Sequence, residues 1–304
     1  MDKEKKVILL AGPTASGKSK LALKLAKHFK GEIINADSMQ VYKELKILTA
    51  RPNKAEQRKI RHHLYGHISA NKNFSTGTWL KLTVKKIKEI RKRKKTPILV
   101  GGTGLYFNSL VNGLVKIPNI PIKFRKKVRF LHKKLGQKKF FLKLQKIDPL
   151  AKNHINQSDV QRSIRAYEIK LFTNKSMYDW FRNTKSNYDQ KDFYKIYIDF
   201  PRYDLIKRIN VRTREMIKKG AISEVKKFIS LKVSKDKSVN KAIGISEIKE
   251  YLKNKIEIEE VIEKISIKTR QYAKRQSTWA RGNMMNWNKI NPNSQNKLLK
   301  KNIN

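Results

Sequence analysis

Short apolar runs alternate with helical patterns along the chain. Four such runs, each closed by glycine or polar residues, lie at residues 7–11, 32–36, 97–100 and 195–200. Runs of this length that end at turn residues predict buried strands. Residues 18–29 carry leucine and alanine at helical spacing and predict a helix after the first strand. Strands that alternate with helices predict an α/β fold, in which helices flank a parallel sheet on both faces.

The pattern changes after Gly113. Residues 121–146 contain 11 basic and no acidic residues, interleaved with apolar positions. This predicts short helices whose outer face is positive. We therefore interpret residues 116–192 as a mostly helical, basic insert domain, which divides the core into residues 1–115 and 193–290.

Two long helices are predicted in the C-terminal half. The first, at residues 201–219, begins with Pro201 in its first turn and ends before Gly220. The second spans about residues 257–281 and has an apolar stripe, acidic residues in its first turn and basic residues later. The polar, lysine-rich segment 291–304 is predicted to be disordered.

Net charge narrows the class of partner. The 304 residues include 72 Lys plus Arg against 24 Asp plus Glu, a formal net charge of +48. This predicts attraction to polyanions through neutralisation of phosphates and release of counterions. Codon drift in an AT-rich genome is an alternative source of the lysines, but it does not explain the scarcity of acids. We therefore favour a nucleic-acid partner.

Composition also excludes some classes of protein. The chain has no cysteine, which rules out disulfides and thiolate chemistry and fits a reducing cytoplasm. No apolar run reaches the length of a membrane span, and residues 1–6 lack the pattern of a secretory or transit signal. We expect a cytoplasmic protein with no membrane partner.

A phosphate-binding loop follows the first predicted strand. Its sequence fits GxxxxGK[ST], and its members are Gly12, Pro13, Thr14, Ala15, Ser16, Gly17, Lys18 and Ser19. In such a P-loop, backbone amides and the positive end of the following helix converge on anionic oxygens, Lys18 adds a positive charge and Ser19 can hold Mg²⁺. The motif lies between a strand and a helix, as this mechanism requires, so we predict a P-loop NTPase-like core.

The P-loop alone leaves its ligand open. An enzyme that hydrolyses nucleotides also needs an acid at a strand end to hold the Mg²⁺. The third predicted strand ends instead in GGTG, residues 101–104, and the nearest acid at a strand end is Asp37. This argues against a motor or switch protein. It favours a transferase, in which the loop holds the phosphates of a donor while another group moves.

Several segments resemble one family of transferases. They are GPTASGKS (12–19), DSMQVY (37–42), RHHL (61–64), GGTGLY (101–106), DVQR (159–162), RAYE (165–168) and KRQSTWAR (274–281). In this order they resemble tRNA dimethylallyltransferases, also called tRNA isopentenyltransferases, over about residues 7–290. The resemblance implies transfer of the dimethylallyl group from dimethylallyl diphosphate to the exocyclic N6 amine of the adenosine 3′ of the anticodon. The acceptors would be tRNAs that read codons starting with U.

The resemblance also implies roles for individual residues. Asp37 matches the family's aspartate that takes the proton from the adenine amine as general base; a helix cap or a Mg²⁺ ligand is the alternative. Thr103 and Arg212 would stabilise the charge on the departing diphosphate. For Arg212 the alternative is a solvated basic face of its helix. The P-loop would hold the diphosphate of the donor with Mg²⁺, and no step requires ATP.

Contacts with tRNA follow from the same resemblance. The adenosine amine is reached by extruding the base from the anticodon loop, a cost that contacts on the base and the backbone must offset. The implied contact residues are Asp37, Ser38, Met39, Gln40, Thr103, Arg125, Gln161, Arg162, Ser163, Ile164 and Arg165. Most of the grip would come from the basic insert, and we expect the enzyme to act as a monomer.

Two segments depart from the family pattern. Residues 48–52 read LTARP where the family usually has GTAKP, which keeps a cation and a proline. Residues 244–247 read GISE in place of a GYRE-like sequence and lose an aromatic residue and an arginine. His63 and His67 lie four apart but have no acidic third ligand near them, so we interpret them as ordinary loop histidines and not as zinc ligands.

Three other functions remain open on sequence grounds. An adenylate isopentenyltransferase would share the P-loop and the base but modifies a free nucleotide, for which a long basic insert is not needed. A small-molecule kinase would use the insert as a lid over ATP and would depend on a nucleoside triphosphate. A non-catalytic RNA-binding protein would have no need of the intact P-loop, Asp37 and Thr103. We therefore favour the tRNA-modifying transferase.

Overall fold

Six strands pair in parallel to form one sheet. They are Val7–Ala11 (β1), Gly31–Asn35 (β2), His62–His63 (β3), Thr96–Gly101 (β4), Phe193–Ile198 (β5) and Asn288–Ile290 (β6). Their spatial order is β3-β2-β4-β1-β5-β6. Every residue of β1, β2 and β4 is buried, as expected for central strands of a parallel sheet covered on both faces. The predicted α/β fold is confirmed.

The computed structural model describes residues 6–182 and 184–291, and its helices account for most of the remaining regular structure. In chain order they are Lys18–His28 (α1), Lys54–Lys59 (α2), Thr76–Lys92 (α3), Gly104–Val111 (α4), Ile122–Ile147 (α5), Leu150–His154 (α6), Val160–Thr173 (α7), Met177–Arg182 (α8), Arg202–Lys218 (α9), Ala221–Ser230 (α10), Ile245–Tyr251 (α11) and Ile258–Asn283 (α12). The two long helices predicted in the C-terminal half are α9 and α12, and the predicted bounds lie within two residues of the observed ones. None of the helices in this part of the chain combines the length and the apolar character that crossing a membrane requires.

Alternation along the central strand directs side chains to two cores. Val7 and Leu9 point to the core formed with α3, α4 and α12, where Trp79 is fully buried. Ile8 and Leu10 point to the opposite core, which is completed by leucine and alanine side chains of α1. Successive side chains of a strand alternate between faces, so β1 is anchored from both sides. Its carboxyl end, where the P-loop begins, is therefore held firmly in place.

The described part of the chain divides into two compact units, residues 6–111 with 188–291 and residues 112–187. The sequence-based limits of the insert were 116 and 192. Tyr188 packs its ring edge-on against Phe193 at a centroid distance of 5.6 Å, and the short 3₁₀ turn Gln190–Asp192 leads directly into β5. The segment from 188 to 192 therefore belongs structurally with the sheet.

The unit of residues 112–187 has its own helical core. Helices α5 to α8 contribute buried side chains, among them Phe140, Leu144, Tyr167 and Ile169. Residues 121–146, predicted as short helices, form two helical segments within α5, which meet at Gly136, where φ 72° and ψ 165° lie outside the helical region. A positive φ is readily adopted by glycine, so this residue permits the break. Apart from Asn291, the predicted disordered tail lies outside the described residues, as do residues 1–5 of the N-terminal segment.

Candidate active site

The P-loop, residues 12–19, connects the end of β1 to the start of α1. Ala15 and Gly17 have left-handed φ angles of 63° and 87°, and such turns point successive backbone N–H groups into one concave surface. Gly12 passes close to β5, since a Cβ atom on it would lie 3.1 Å from the Cβ of Ile198. The local sequence therefore produces an anion-binding loop at the carboxyl edge of the sheet, the usual ligand-binding edge of open α/β sheets.

Two cations converge on the P-loop. Lys18 donates through Nζ to the carbonyl oxygen of Pro13 at 2.6 Å, and Arg212, from α9, donates through Nη1 to Oγ1 of Thr14 at 3.2 Å. Burial lowers the pKa of Lys18 from 10.5 to about 7, although the Asp37 carboxylate raises it and Arg212 lowers it. Burial also lowers the pKa of Arg212, opposed by Asp37. An anionic ligand would stabilise both charges.

Asp37 lies in the turn that follows β2. Its Oδ1 accepts hydrogen bonds from the backbone N–H groups of Met39 at 2.8 Å and Gln40 at 3.3 Å. Its own N–H donates to Oδ1 of Asn35 at 2.9 Å, and Nδ2 of Asn35 donates to the carbonyl oxygens of Asp37 and Leu64. One carboxylate oxygen thus caps the turn. Within the described ranges no hydrogen bond is made to the other oxygen, Oδ2, which leaves it available for chemistry.

The loop after β4 interlocks with the turn at Asp37. Thr103 donates its backbone N–H to the carbonyl oxygen of Ala36 at 3.2 Å, and its Oγ1 accepts from the N–H of Ser38 at 3.0 Å. Gly101 is required for this approach, because a Cβ atom there would lie 2.0 Å from the carbonyl oxygen of Ala36. The carboxyl ends of two adjacent parallel strands therefore bring Asp37 and Thr103 into one site.

Helix α12 ties the P-loop to the loop after β4. Oε1 of Gln276 accepts from the backbone N–H of Thr14 at 2.8 Å, and its Nε2 donates to the carbonyl oxygen of Gly102 at 2.9 Å. Tyr272, one turn earlier, lines a cavity beside Asp37, and burial, reinforced by the Asp37 carboxylate, raises the pKa of its phenol. Sequence reasoning did not assign either residue to the site. The signal for Gln276 was its place in the segment KRQSTWAR.

Two cavities meet at Asp37. The first, here called the polar cavity, has a volume of about 490 Å³ and is lined by P-loop residues 14–19, Gln40, Arg208 and Arg212. The second, the apolar cavity, has a volume of about 320 Å³, and its walls include Met39, Leu48, Ile209, Met216, Ile243 and Ile265. Both are lined by Thr14, Asp37, Thr49 and Arg212. A carboxylate and a guanidinium therefore stand where a phosphate-binding cavity adjoins an apolar one.

The other predicted residues of the sheet unit lie around these cavities. Ser38 and Met39 line the apolar cavity, whereas Ser19 is exposed and lines the polar cavity. Gln40 lines the polar cavity, and its Nε2 donates to the carbonyl oxygen of Thr49 at 2.8 Å. Every residue of this unit that the sequence assigned to the site thus lines one cavity or belongs to an interlocked loop.

The predicted RNA contacts of the insert lie on α5 and α7. Gln161 and Arg162 are exposed at the start of α7, where Asp159 caps the helix by accepting from the backbone N–H of Arg162 at 3.0 Å. Ser163 is fully buried, and its hydroxyl donates to the carbonyl oxygen of Asp159 at 2.7 Å. The side chain of Ile164 packs against the core of the unit. Arg125 and Arg165 lie beside the buried Glu168.

The histidines and the two departing segments have structural partners. Nε2 of His63 lies 2.6 Å from Oε2 of the buried Glu32, and His67 packs edge-on against Phe74. Arg51 donates through Nη2 to the carbonyl oxygen of Lys43 at 2.9 Å. In the GISE segment, the Glu247 carboxylate accepts from the backbone N–H of the left-handed Gly244 at 2.9 Å and so caps α11.

Comparisons with known proteins agree on one family. A family model described as IPP transferase matches residues 40–283. A tRNA dimethylallyltransferase of Pelagibacter ubique (strain HTCC1062) is 62% identical over 301 residues, covering 99% of this chain and 96% of that protein. A tRNA dimethylallyltransferase of Rickettsia massiliae (strain Mtu5) is 47% identical over 278 residues, covering 91% of this chain and 77% of that protein.

Two solved structures resemble the chain over nearly its whole length. The full-length tRNA isopentenylpyrophosphate transferase from Bacillus halodurans has a TM-score of 0.70 and 32% sequence identity, with 98% of this chain and 95% of that chain covered. A eukaryotic dimethylallyltransferase acting on tRNA has a TM-score of 0.82 and 30% identity, with 94% and 74% covered. At these identities the likeness extends beyond the fold to the family.

Proposed function

The chain belongs to the IPP transferase family, and on that premise we propose that it transfers the dimethylallyl group from dimethylallyl diphosphate to tRNA. The acceptor is the exocyclic N6 amine of the adenosine 3′ of the anticodon, in tRNAs that read codons starting with U. The products are N6-isopentenyladenosine and diphosphate. The observation that carries this proposal is the position of Asp37 and Arg212 in the shared wall of the polar and apolar cavities.

The polar cavity suits the diphosphate of the donor. Backbone amides of the P-loop and the N-terminus of α1 bind phosphate oxygens, and the half-buried Lys18 and Arg212 supply positive charge beside them. When the carbon–oxygen bond of the donor breaks, its electron pair goes to the bridging oxygen of the departing diphosphate. Cations fixed at that oxygen therefore stabilise the transition state more than the ground state.

The acceptor amine needs a base, because its lone pair is delocalised into the adenine ring. As the N6 nitrogen bonds to the terminal carbon of the allyl group, its proton passes to Oδ2 of Asp37, the oxygen that does not cap the turn. Thr103 fixes the turn through its bond to Ser38, and we propose that it also helps to stabilise the charge on the departing diphosphate. The apolar side chains in the wall of the apolar cavity would pack against the allyl group and so limit the access of water to the allyl cation.

The residues present fit a Mg²⁺ ion held mainly through the donor. Ser19 lines the polar cavity and offers a hydroxyl, and no group of three or more histidine or acidic side chains arranged for a metal occurs among the described residues. Mg²⁺ characteristically keeps several waters and binds substrate phosphates with few protein ligands. We propose that Ser19 and the diphosphate oxygens hold it, where it would neutralise phosphate charge.

The base reaches Asp37 from an extruded position. Ser38, Met39 and Gln40, around the two cavities, would contact it. We propose that Arg125, Gln161, Arg162 and Arg165 contact the RNA, while Ser163 and Ile164 hold α7 in place. Since its acceptor is tRNA, we propose a cytoplasmic enzyme, and one that acts as a monomer.

The decisive experiment offers the protein two acceptors. An unmodified anticodon stem-loop is incubated with the protein, Mg²⁺ and dimethylallyl diphosphate, without ATP and with AMP in competition, and products are analysed by mass spectrometry. We expect a gain of C₅H₈ on the adenosine 3′ of the anticodon. Modification of AMP alone would indicate the free-nucleotide enzyme. No gain on either acceptor would contradict the transferase function and favour a kinase.

Asp37→Asn separates the two roles of Asp37. The amide oxygen can still cap the turn by accepting from Met39 and Gln40, but the amide cannot accept the proton. We expect kcat to fall by about 10²- to 10⁴-fold while stem-loop binding is unchanged. Asp37→Ala, which removes both roles, should additionally weaken RNA binding. Transfer at the wild-type rate by Asp37→Asn would refute the assignment of the base.

A further inference from the structure

A buried carboxylate lies beneath three arginines in the unit of residues 112–187. Glu168, on α7, has a side chain only 3% exposed, and Nη1 of Arg165 lies 3.3 Å from its Oε2. From α5, Nε of Arg125 lies 3.9 Å from Oε2 and Nε of Arg129 lies 3.9 Å from Oε1. We call Arg125, Arg129 and Arg165 the arginine cluster. Its members come from two helices but converge on one carboxyl group.

The contacts inside the cluster leave hydrogen-bonding capacity unused. Of the three arginines in the cluster, Arg165 makes a hydrogen bond to Glu168, and Arg125 and Arg129 do not. Over residues 6–182 and 184–291, the buried atoms Nε of Arg125 and Oε1 of Glu168 have no hydrogen-bond partner. Buried polar atoms are normally satisfied in native proteins, and the unpartnered Nε–H of Arg125 is a donor that an additional acceptor would satisfy, whereas Oε1 of Glu168 faces the Nε of Arg129 at 3.9 Å. The side chain of Arg129 is 62% exposed, so the cluster is open to solvent.

Charge identifies the ligand as an anion. Three guanidinium groups face one carboxylate, so two positive charges are not compensated within the cluster. Guanidinium groups bind phosphate through paired N–H donors, a geometry that a lysine ammonium does not offer. Helix α5 adds no acidic residue between positions 121 and 146. An extended basic surface of this kind fits one phosphate of a long polyanion better than an isolated small anion.

We propose that the arginine cluster binds one phosphate of the RNA backbone and that Glu168 is the positioning residue that orients its guanidinium groups. This proposal rests on the proposed function, because the RNA is the acceptor tRNA. Free arginine side chains lose rotamer freedom when they bind a ligand. A buried carboxylate at their centre restricts them beforehand, so less conformational entropy is lost when the phosphate arrives.

Glu168→Gln tests positioning against simple charge. The substitution makes the cluster more positive, so an account based on net charge alone predicts tighter RNA binding. Positioning predicts the opposite, a dissociation constant for the stem-loop that rises about 10-fold, with kcat unchanged at saturating RNA. Binding that is equal or tighter, by a variant with wild-type circular dichroism and melting temperature, would overturn the proposal.

Arg129→Lys provides a second test that does not depend on folding of the buried site, because Arg129 is largely exposed. It keeps the charge but removes the forked donor, and we expect the RNA dissociation constant to rise several-fold. Lys127→Arg, on the same helix and also exposed, is the matched exchange in the opposite direction and should leave affinity nearly unchanged. An Arg129→Lys variant that binds like the wild type would contradict phosphate recognition by this cluster.

Neutral linkages identify the phosphate. Stem-loops with a single methylphosphonate at successive positions are bound to the wild type and to Arg129→Ala. At the linkage that the cluster binds, replacing the phosphate should weaken binding by the wild type. The same replacement should have little further effect on Arg129→Ala, because that variant has already lost the contact. Fully additive losses at every position would exclude a cluster-bound phosphate. Product formation on unmodified stem-loop is measured in parallel, and failure of the wild type there would count against the proposed function instead.

Discussion

Lys18 shows how burial adjusts a single charge at the site. Its side chain lies among Asp37, Arg212 and the P-loop, and burial is the largest cause of the drop in its pKa to about 7. An exposed lysine stays protonated to about pH 10. The free enzyme therefore loses this charge within the neutral range, whereas a bound diphosphate would favour the protonated form.

We therefore expect the KM for dimethylallyl diphosphate to rise as the pH increases above 7. The rise should not exceed about tenfold per pH unit, because one proton is involved. The measurement is the donor KM at saturating stem-loop between about pH 6 and pH 9.

Lys18→Gln is the control for this profile. The donor KM of this variant should already be high at pH 6. Its remaining change with pH should come only from protonation of the diphosphate, which affects the wild type equally. The ratio of the two KM values then isolates Lys18. If that ratio stays constant across the pH range, Lys18 is not the titrating group.

At the scale of elements, helices that are distant in the sequence hold the loops of the site through hydrogen bonds. Helix α12 bridges two strand ends through Gln276, and α10 holds a third loop through Glu224. The Glu224 carboxylate accepts three backbone N–H groups, those of Lys46 and Ile47 at 2.7 Å and that of Leu48 at 2.9 Å. Leu48 lines the apolar cavity and Thr49 lines both cavities, so α10 determines where these walls stand.

Glu224→Gln should loosen this loop without changing any residue of the cavities. An amide has one acceptor oxygen and turns its NH₂ donors toward backbone donors. We expect the free energy of unfolding to fall by about 2 kcal/mol and kcat/KM to fall about 10-fold because the cavity walls are less well positioned. Denaturant unfolding and steady-state kinetics measure the two effects.

Glu263→Gln, an exposed position on α12, removes the same charge elsewhere and should change neither quantity. Wild-type kinetics for Glu224→Gln would show that the wall does not depend on α10.

At the scale of the whole molecule, the net charge of +48 predicts a stronger salt dependence for binding an RNA than for binding a free nucleotide. If the lysines contact the backbone of the stem-loop, binding must release counterions. With about six or more phosphates neutralised, affinity should fall by roughly 10³-fold between about 50 and 200 mM salt. The rate at saturating stem-loop should change little, because at saturation it no longer depends on how tightly the RNA is bound. Fluorescence titrations across salt concentrations give the slope.

A shallow salt dependence would contradict this expectation. It would mean that most of the lysines have no polyanion partner and would point to codon drift as their origin. Binding of dimethylallyl diphosphate measured over the same salt range provides the comparison, since a single diphosphate neutralises few charges and should show a small slope.

The parts of the molecule that the sequence determined by itself are those encoded by residues close together in the chain. The P-loop is contiguous, and its glycines, Lys18 and the flanking strand and helix follow from neighbouring residues alone. The central strands and long helices have strong periodic patterns in the sequence. The predicted bounds of α12, 257–281, therefore lie within two residues of the observed helix Ile258–Asn283. Strands β3 and β6, of two and three residues, are too short to leave such a pattern. Short helices were predicted for residues 121–146, but the position of the break at Gly136 was not, because the apolar spacing alone does not show where one helix ends.

Tertiary structure alone decided how distant segments share a site. Gln276 bonds a backbone group 262 residues away, and Glu224 holds a loop 176 to 178 residues away; no local pattern encodes such pairs. The sequence identified Asp37 and Arg212 as candidates through resemblance, yet the wall they share between two cavities exists only when the strands and α9 are packed together. Burial, which lowers the pKa of Lys18, is likewise a property of the packed structure. Short-range spacing determines elements and motifs, whereas the chemistry of the site depends on which of them packing brings into contact.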